Sequence, residues 1–274
     1  MPELPEVELT RENLSIWTHE AHRGSLDIID ERVLVTGDAS TLIAAFSGGG
    51  WQEPIRTGKF LLWPFSDGYA LIVHLAMTGK WVRREKAERG KTTRAVITLD
   101  TGVILQFEDQ RRFGKFWWGK RRSVENISGW NKLGPDVRNK QHSALRALTA
   151  SASTSKRKIV SLLLDQSIVS GIGNIVANEA LYLSGIHPLS HANTLSESQI
   201  TLLFEGVIKT VETSLLRDRG SEILYQGEKG AENPFIIYGR ENFSCGACTA
   251  TIQRQKHAGR SIFVCPRCQS PPSS

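Results

Sequence analysis

The first eight residues, Met1-Pro-Glu-Leu-Pro-Glu-Val-Glu8, set a proline and several acids where they could act together. Once the initiator methionine is removed, as expected before a small residue, Pro2 presents a secondary amine. An α-amino group titrates near about 8, well below a lysine, so much of it is nucleophilic at neutral pH. Such an amine can attack a sugar aldehyde carbon and form a Schiff base. Glu3 and Glu6 lie within a few residues of it, and two carboxylates beside an amine can divide acid and base roles. The plainer reading is a helix start. Pro5 suits a first turn, Glu6 and Glu8 suit the positive end of a helix dipole, and Val7, Leu14 and Trp17 could face a core. The two readings are compatible, because a nucleophile held at a helix N-terminus needs that helix behind it.

A second constellation lies at the other end. All four cysteines, Cys245, Cys248, Cys265 and Cys268, fall in the last 30 residues as C-x2-C, 16 residues, C-x2-C. Tight pairs separated by a short hairpin place four thiolates around one tetrahedral ion, which predicts one structural zinc with no open coordination position. Two disulfides are the alternative. Such close pairs make poor structural disulfides, and nothing suggests an oxidising compartment.

Composition bounds the rest. The 274 residues are 23% charged and 40% hydrophobic, an ordinary globular balance with length for two domains. The sequence has no long apolar run and no signal peptide, so a cytoplasmic, nucleoid-associated, bacterial-type location without export is expected. A net charge of +6 and a pI near 9.2 fit a polyanionic partner, most simply nucleic acid.

These residues need elements to position them. Residues 24–120 read as closely spaced strands with short turns, such as Ala70-Leu-Ile-Val-His-Leu75 and Val103-Ile-Leu-Gln-Phe107, which predicts a β-sandwich. A linker at Leu133-Gly-Pro-Asp136 precedes helical periodicity, clearest in the stripe Ile200, Leu203, Phe204, Val207, Ile208, Val211 and Leu215. Ser196 and Gln199 form a capping box before it. The expected organisation is a catalytic β-sandwich domain with a leading helix over 1–132, a helical domain over 133–240, and a zinc hairpin with a short tail over 241–274. Within the helical domain, residues 216–237 are rich in Gly and charge and read as a mobile loop or a solvated linker.

Several further stretches could bind DNA. Gly171-Ile-Gly-Asn174 opens a helix whose exposed amides attract phosphate, with Asn174 as an added donor. Asp109-Gln-Arg-Arg-Phe-Gly114 sets Arg111, Arg112 and Phe113 beside a glycine, the chemistry for filling a gap in a base stack and contacting phosphate. His74-Leu-Ala-Met-Thr-Gly79 offers a phosphate-contacting His74 and a possible wedge, Met77. Lys59 lies in the basic turn Arg56-Thr-Gly-Lys-Phe60, and Arg260 follows Gly259 at the tip of the cysteine hairpin, where a guanidinium could clamp phosphate. Taken singly, these read more plainly as a tight interhelical turn, a charged hairpin with Phe113 in the core, a core methionine with a satisfied histidine, and a solvated basic face.

Their ordered occurrence resembles the formamidopyrimidine-DNA glycosylase branch of the Fpg/Nei family. The resemblance also covers Leu133-Gly-Pro-Asp136, Leu163-Leu-Asp-Gln166 and Tyr238-Gly-Arg240, so it runs from residue 2 to the last cysteine pair. It implies an α+β fold: an N-terminal β-sandwich, a helix-two-turn-helix domain and a C-terminal zinc β-hairpin, with DNA across the cleft between halves. It implies a monomeric base-excision-repair enzyme acting on damaged double-stranded DNA as glycosylase and abasic-site lyase. Pro2 would be the Schiff-base nucleophile, Glu3 the proton-transfer residue at the sugar, and Glu6 supportive. Lys59, His74, Asn174 and Arg260 would hold phosphates. Met77, Arg111 and Phe113 would fill the hole left by the flipped nucleotide. Departures occur at Val160, where many relatives carry a lysine tied to damaged-purine recognition, at Val176, and across 216–237, which aligns with a lesion-capping loop. Three readings follow: excision of oxidised purines, formamidopyrimidines and 8-oxoguanine; the same chemistry with a shifted range covering ring-opened purines, oxidised pyrimidines or abasic sites; and a non-catalytic zinc-containing DNA-binding protein.

Overall fold

The computed structural model describes residues 2–271 apart from 221, 227 and 229. The chain divides into two compact units, one of residues 1–132 with 217–230 and one of 133–216 with 231–274.

In the first unit, helix α1 (Leu4–Thr18) starts on the acidic N-terminal segment, with proline in its first turn. The Glu6 carboxylate accepts a hydrogen bond from the Glu3 backbone N–H at 2.7 Å, closing that end as a capping contact. Strands β1 (Gly24–Ile28), β2 (Leu34–Thr36), β3 (Ile55–Thr57), β4 (Phe60–Pro64), β5 (Tyr69–His74), β6 (Lys80–Arg84), β7 (Thr93–Leu99), β8 (Ile104–Glu108) and β9 (Lys115–Lys120) follow. They form a four-stranded sheet, β1-β7-β8-β6, and a five-stranded sheet, β2-β9-β5-β4-β3. Alternation along the strands builds the sandwich core: Leu61, Trp63, Leu71, Val73, Phe116 and Trp118 meet Leu26, Ala95, Ile97, Leu105, Phe107 and Trp81.

The run 70–75 is apolar at nearly every position because β5 is buried on both faces. Its other side, with Ala70 and Ile72, packs with Leu62, Trp117 and Val124 under helix α3 (Arg121–Ser128). A second helix, α2 (Ala39–Gly48), interrupts the strand-like stretch. The Asp38 side chain caps it, accepting from the Thr41 N–H at 2.9 Å. Only Leu42 and Phe46 of α2 are buried, too thin a stripe to stand out by periodicity.

The second unit carries α4 (Gln141–Thr154), α5 (Ile159–Leu163), α6 (Asn174–Leu183), α7 (Glu197–Arg217) and the antiparallel hairpin β10 (Gln253–His257) with β11 (Arg260–Val264). The capping box before α7 forms as expected: the Ser196 N–H donates to Gln199 Oε1 at 2.9 Å and the Gln199 N–H to Ser196 Oγ at 3.2 Å. The predicted stripe is buried along α7, with Ile208 at its half-exposed margin. Glycine is required at Gly134, where an added Cβ would strike the Ile168 carbonyl oxygen. The Gly134 N–H donates to the Gln166 carbonyl at 2.8 Å, which pins the 133–136 stretch to the turn between α5 and α6.

One contact ties α1 to the five-stranded sheet. Arg56, read from sequence as part of a solvated basic turn, is buried, and its Nε lies 2.5 Å from Glu8 Oε2. Its Nη1 also donates to the Gly58 carbonyl at 3.0 Å. The guanidinium holds the Glu8 carboxyl below its ordinary pKa against the opposing effect of burial. Glu8 also pairs with Arg11 at 2.9 Å, so replacing Arg56 by alanine should leave the buried carboxylate with one cationic partner and cost about 2–3 kcal/mol, measured as a shift in the urea unfolding midpoint at unchanged slope.

Candidate active site and nucleic-acid interface

In the first unit, Pro2 and Glu3 are buried immediately before α1. Glu6 keeps a little surface, but its carboxyl is enclosed. That burial, with the Glu3 charge beside it, pushes its pKa up to about 7. Glu6 can therefore hold or release a proton near neutral pH, while the amides of the first helical turn favour negative charge there.

Lys59 occupies the two-residue turn between β3 and β4, after Gly58 at φ 58°. The Arg56 contact to the Gly58 carbonyl fixes this turn to the ion pair under α1. His74 lies across from Phe60 in the register of β4 and β5, its ring 4.6 Å from the phenyl. Burial first, then the charges of Lys59 and Lys115, lower its pKa to about 4. Its Nδ1 accepts from the Ala76 N–H at 3.1 Å, so the neutral ring carries its proton on Nε2 and acts as a donor.

Met77, Arg111 and Phe113 come together. Arg111 Nη1 is 2.9 Å from Met77 Sδ, and the guanidinium lies 4.7 Å over the Phe113 ring. Phe113 is 47% exposed and Met77 36%, so neither is a core residue. Arg112 is exposed, 3.6 Å from Asp30.

This exposed cluster rests on Asp109, which is buried. One Asp109 oxygen accepts from the Thr78 hydroxyl and from the Arg111 N–H at 3.2 Å. The other accepts from the Gly114 N–H at 2.7 Å. Ala76 and Arg112 both adopt positive φ, 56° and 59°, a strained state that non-glycine residues keep only when their surroundings impose it. Glycine is required at Gly114, where a Cβ would lie 2.7 Å from the Phe107 ring.

The second unit presents Asn174 and Arg260. Asn174 opens α6, and its Nδ2 donates to the Ser261 carbonyl at 2.9 Å. One turn on, Asn178 Oδ1 accepts from the Phe263 N–H at 2.7 Å. These bonds dock β11 on the start of α6 and bring Arg260, the neighbour of Ser261, near Asn174. Arg260 is exposed beyond the tight turn at Ala258 and Gly259 and makes no ion pair among the described residues. Gln166 shapes the preceding turn, with Nε2 donating to the Ile172 carbonyl at 2.9 Å and Oε1 accepting from the Gly171 N–H at 3.0 Å.

The four cysteine Sγ atoms lie within 4.8 Å of one another and form no disulfide. Sulfurs on a tetrahedral ion with bonds of about 2.3 Å lie about 3.8 Å apart. Cys245 and Cys268 are separated by 3.8 Å and Cys248 and Cys265 by 3.4 Å, so the set fits a metal ion. The Tyr182 hydroxyl lies 3.1 Å from Cys245 Sγ.

The comparisons with known proteins agree. The formamidopyrimidine-DNA glycosylase N-terminal domain matches residues 1–116 and its H2TH domain residues 133–225. A formamidopyrimidine-DNA glycosylase of Herpetosiphon aurantiacus is 36% identical, covering 98% of this chain and 100% of the relative. The chain belongs to the formamidopyrimidine-DNA glycosylase family. Two solved structures, Lactococcus lactis Fpg (MutM) with FAPY-dG containing DNA and with oxidised-pyrimidine containing DNA, each match with a TM-score of 0.86. Each is 30% identical and covers 98% of this chain and 100% of that one.

Sequence reasoning passed over three supporting residues. Asp109 was visible only as the start of a motif, and Arg56 as one more surface cation. Glu179 accepts the N–H groups of Ile236, Ile237 and Tyr238, each at 2.8 Å; its one signal was an acid on an apolar helix.

The Glu6 shift has a consequence for stability. Below the ordinary carboxylate value of 4.5 the folded and unfolded chains both hold the proton. Between there and about 7 only the folded chain does, so this group's contribution is lost as pH rises. Glu6→Gln should flatten the decline in unfolding free energy across that window, by roughly 3 kcal/mol at full effect. An unchanged pH profile from chemical denaturation would contradict it.

Proposed function

We propose that this chain is a base-excision-repair DNA glycosylase and abasic-site lyase that removes oxidised purines, formamidopyrimidine and 8-oxoguanine, from double-stranded DNA. The observation that carries this reading is the exposed Met77–Arg111–Phe113 cluster anchored on buried Asp109. An apolar wedge backed by a guanidinium suits the gap left when a nucleotide leaves the stack, with Arg111 facing the orphaned base. Membership of the family and the Lactococcus lactis complexes with damaged DNA support it.

The chemistry begins at Pro2, once its amine is free. That free secondary amine is the nucleophile. The nitrogen attacks C1′, the bond from C1′ to the base breaks, and the base departs. Glu3 moves the proton at the sugar ring as it opens, and Glu6 assists as a neighbouring proton reservoir. The iminium acidifies the C2′ proton, and elimination breaks the C3′–O bond. A second elimination breaks the C5′–O bond, and water releases the enzyme. Lys59, Arg112 and His74 in the first unit, the last through its Nε2–H, contact phosphates. Asn174, through its side-chain amide, and the Arg260 guanidinium do so in the second.

The four cysteines fit zinc, which when bound fixes the hairpin that presents Arg260 and takes no part in the reaction. The protein acts as a monomer in the bacterial cytoplasm on this reading. A shifted lesion range is the second reading, and Val160, buried and uncharged, favours it because no lysine stands there for a purine lesion.

Single-turnover excision on duplexes carrying formamidopyrimidine, 8-oxoguanine, an oxidised pyrimidine or an abasic site separates these readings. Comparable rates on the two purine lesions support the first. A preference for ring-opened purines or pyrimidines establishes the second, and cleavage of none refutes both. Arg260→Ala should weaken DNA binding by about one to two orders of magnitude while a chelator assay still finds one zinc per chain. Loss of the metal from this variant would make Arg260 structural.

A further inference from the structure

The segment 217–230 lies on the first unit. Ile223 and Tyr225 are buried there, 5% and 3% exposed. The Asn13 side chain donates to the Gly220 carbonyl at 2.9 Å. Glu228 accepts from the Tyr225 N–H at 3.1 Å and meets Lys80 Nζ at 3.2 Å. The central contact is the Tyr225 hydroxyl, which donates to the Gly79 carbonyl at 2.7 Å.

Gly79 closes the three-residue turn that carries Met77. Its N–H is bonded to the Leu75 carbonyl at 2.9 Å, and a Cβ there would crowd Leu75 and Phe107, so the turn has little freedom. Burial, and then the charges of Glu6, Glu228 and Asp109, hold the Tyr225 pKa well above its ordinary value. The hydroxyl keeps its proton and remains a donor. The same phenol is thus enclosed by the acid of the N-terminal helix and by the carboxylate that anchors the wedge. A buried hydroxyl that loses its acceptor carries a desolvation cost, so the segment and the turn favour one joint arrangement.

We propose that Tyr225 is a positioning residue for base excision: its hydroxyl ties the segment around it to the Met77–Gly79 turn and so holds that turn in the arrangement from which Met77 enters the base stack, making wedge entry one step with the seating of this tyrosine. This rests on the repair function proposed above. A base still in the stack depends on that step, whereas an abasic site has no base to extrude.

Tyr225→Phe removes the hydroxyl and keeps the ring. It should slow single-turnover excision of formamidopyrimidine at saturating enzyme about tenfold. It should equally slow the fluorescence rise of 2-aminopurine placed beside the orphaned base, which reports wedge entry. DNA affinity and borohydride trapping on a preformed abasic duplex should stay within about twofold of wild type, a split that lost stability alone does not give. Unchanged excision overturns the proposal. So does slowed excision with normal wedge entry, or a parallel fall in excision and abasic trapping with a lowered melting temperature. A wild-type protein that releases no base refutes the repair reading instead. The fluorescence arm still decides the coupling, because insertion needs no chemistry.

Discussion

The buried pair of Glu8 and Arg56 is the constraint on which the reactive end of the first unit depends. Neither side chain reaches solvent appreciably, at 5% and 0% exposure, so the Arg56 charge is tolerated because Glu8 is there, and Glu8 is held by Arg56 together with Arg11. Glu8 is one turn along α1 from the residues that precede the helix, and Arg56 also holds the carbonyl of Gly58 before Lys59. One ion pair therefore sets the helix carrying Pro2, Glu3 and Glu6 against the sheet edge carrying Lys59. On the proposed chemistry the nucleophile has no backbone on one side to hold it, so its precision would be borrowed from the helix behind it and from whatever fixes that helix.

Asp109 solves a related problem for the wedge. Large apolar side chains at a surface tend to collapse inward, yet Met77 and Phe113 stay exposed. The residues before them, Ala76 and Arg112, are held at positive φ, and one carboxylate accepts from both turns. In the second unit, neutral amides do the same work. Asn174 and Asn178 dock β11 on α6, and the cysteine cluster secures the other end of the hairpin. Rigid supports of this kind place functional side chains more reproducibly than the loops could alone.

Much of this was legible in the sequence, for identifiable reasons. The cysteine spacing could be read because a tetrahedral ion dictates it. The β-sandwich, the helical region and the α7 stripe were visible through their periods. Met77, Arg111 and Phe113 read as core or hairpin residues singly, and only their ordered company pointed outward. Arg56 was misread because its partner lies 48 positions away, and no local pattern marks a long-range ion pair. Helix α2 escaped because two buried residues make no period. Tyr225 gave no signal at all, since its acceptor is a backbone carbonyl 146 positions away.

The central claim is covalent chemistry at the N-terminal amine, and borohydride trapping tests it most directly. Purified protein, with Pro2 confirmed as its first residue, would be reduced in the presence of abasic and formamidopyrimidine duplexes, digested, and the adduct mapped by mass spectrometry. The account predicts a stable protein–DNA adduct on the peptide beginning at Pro2, sharply reduced in Pro2→Gly. An adduct mapped to a lysine, or none on either duplex, would contradict it.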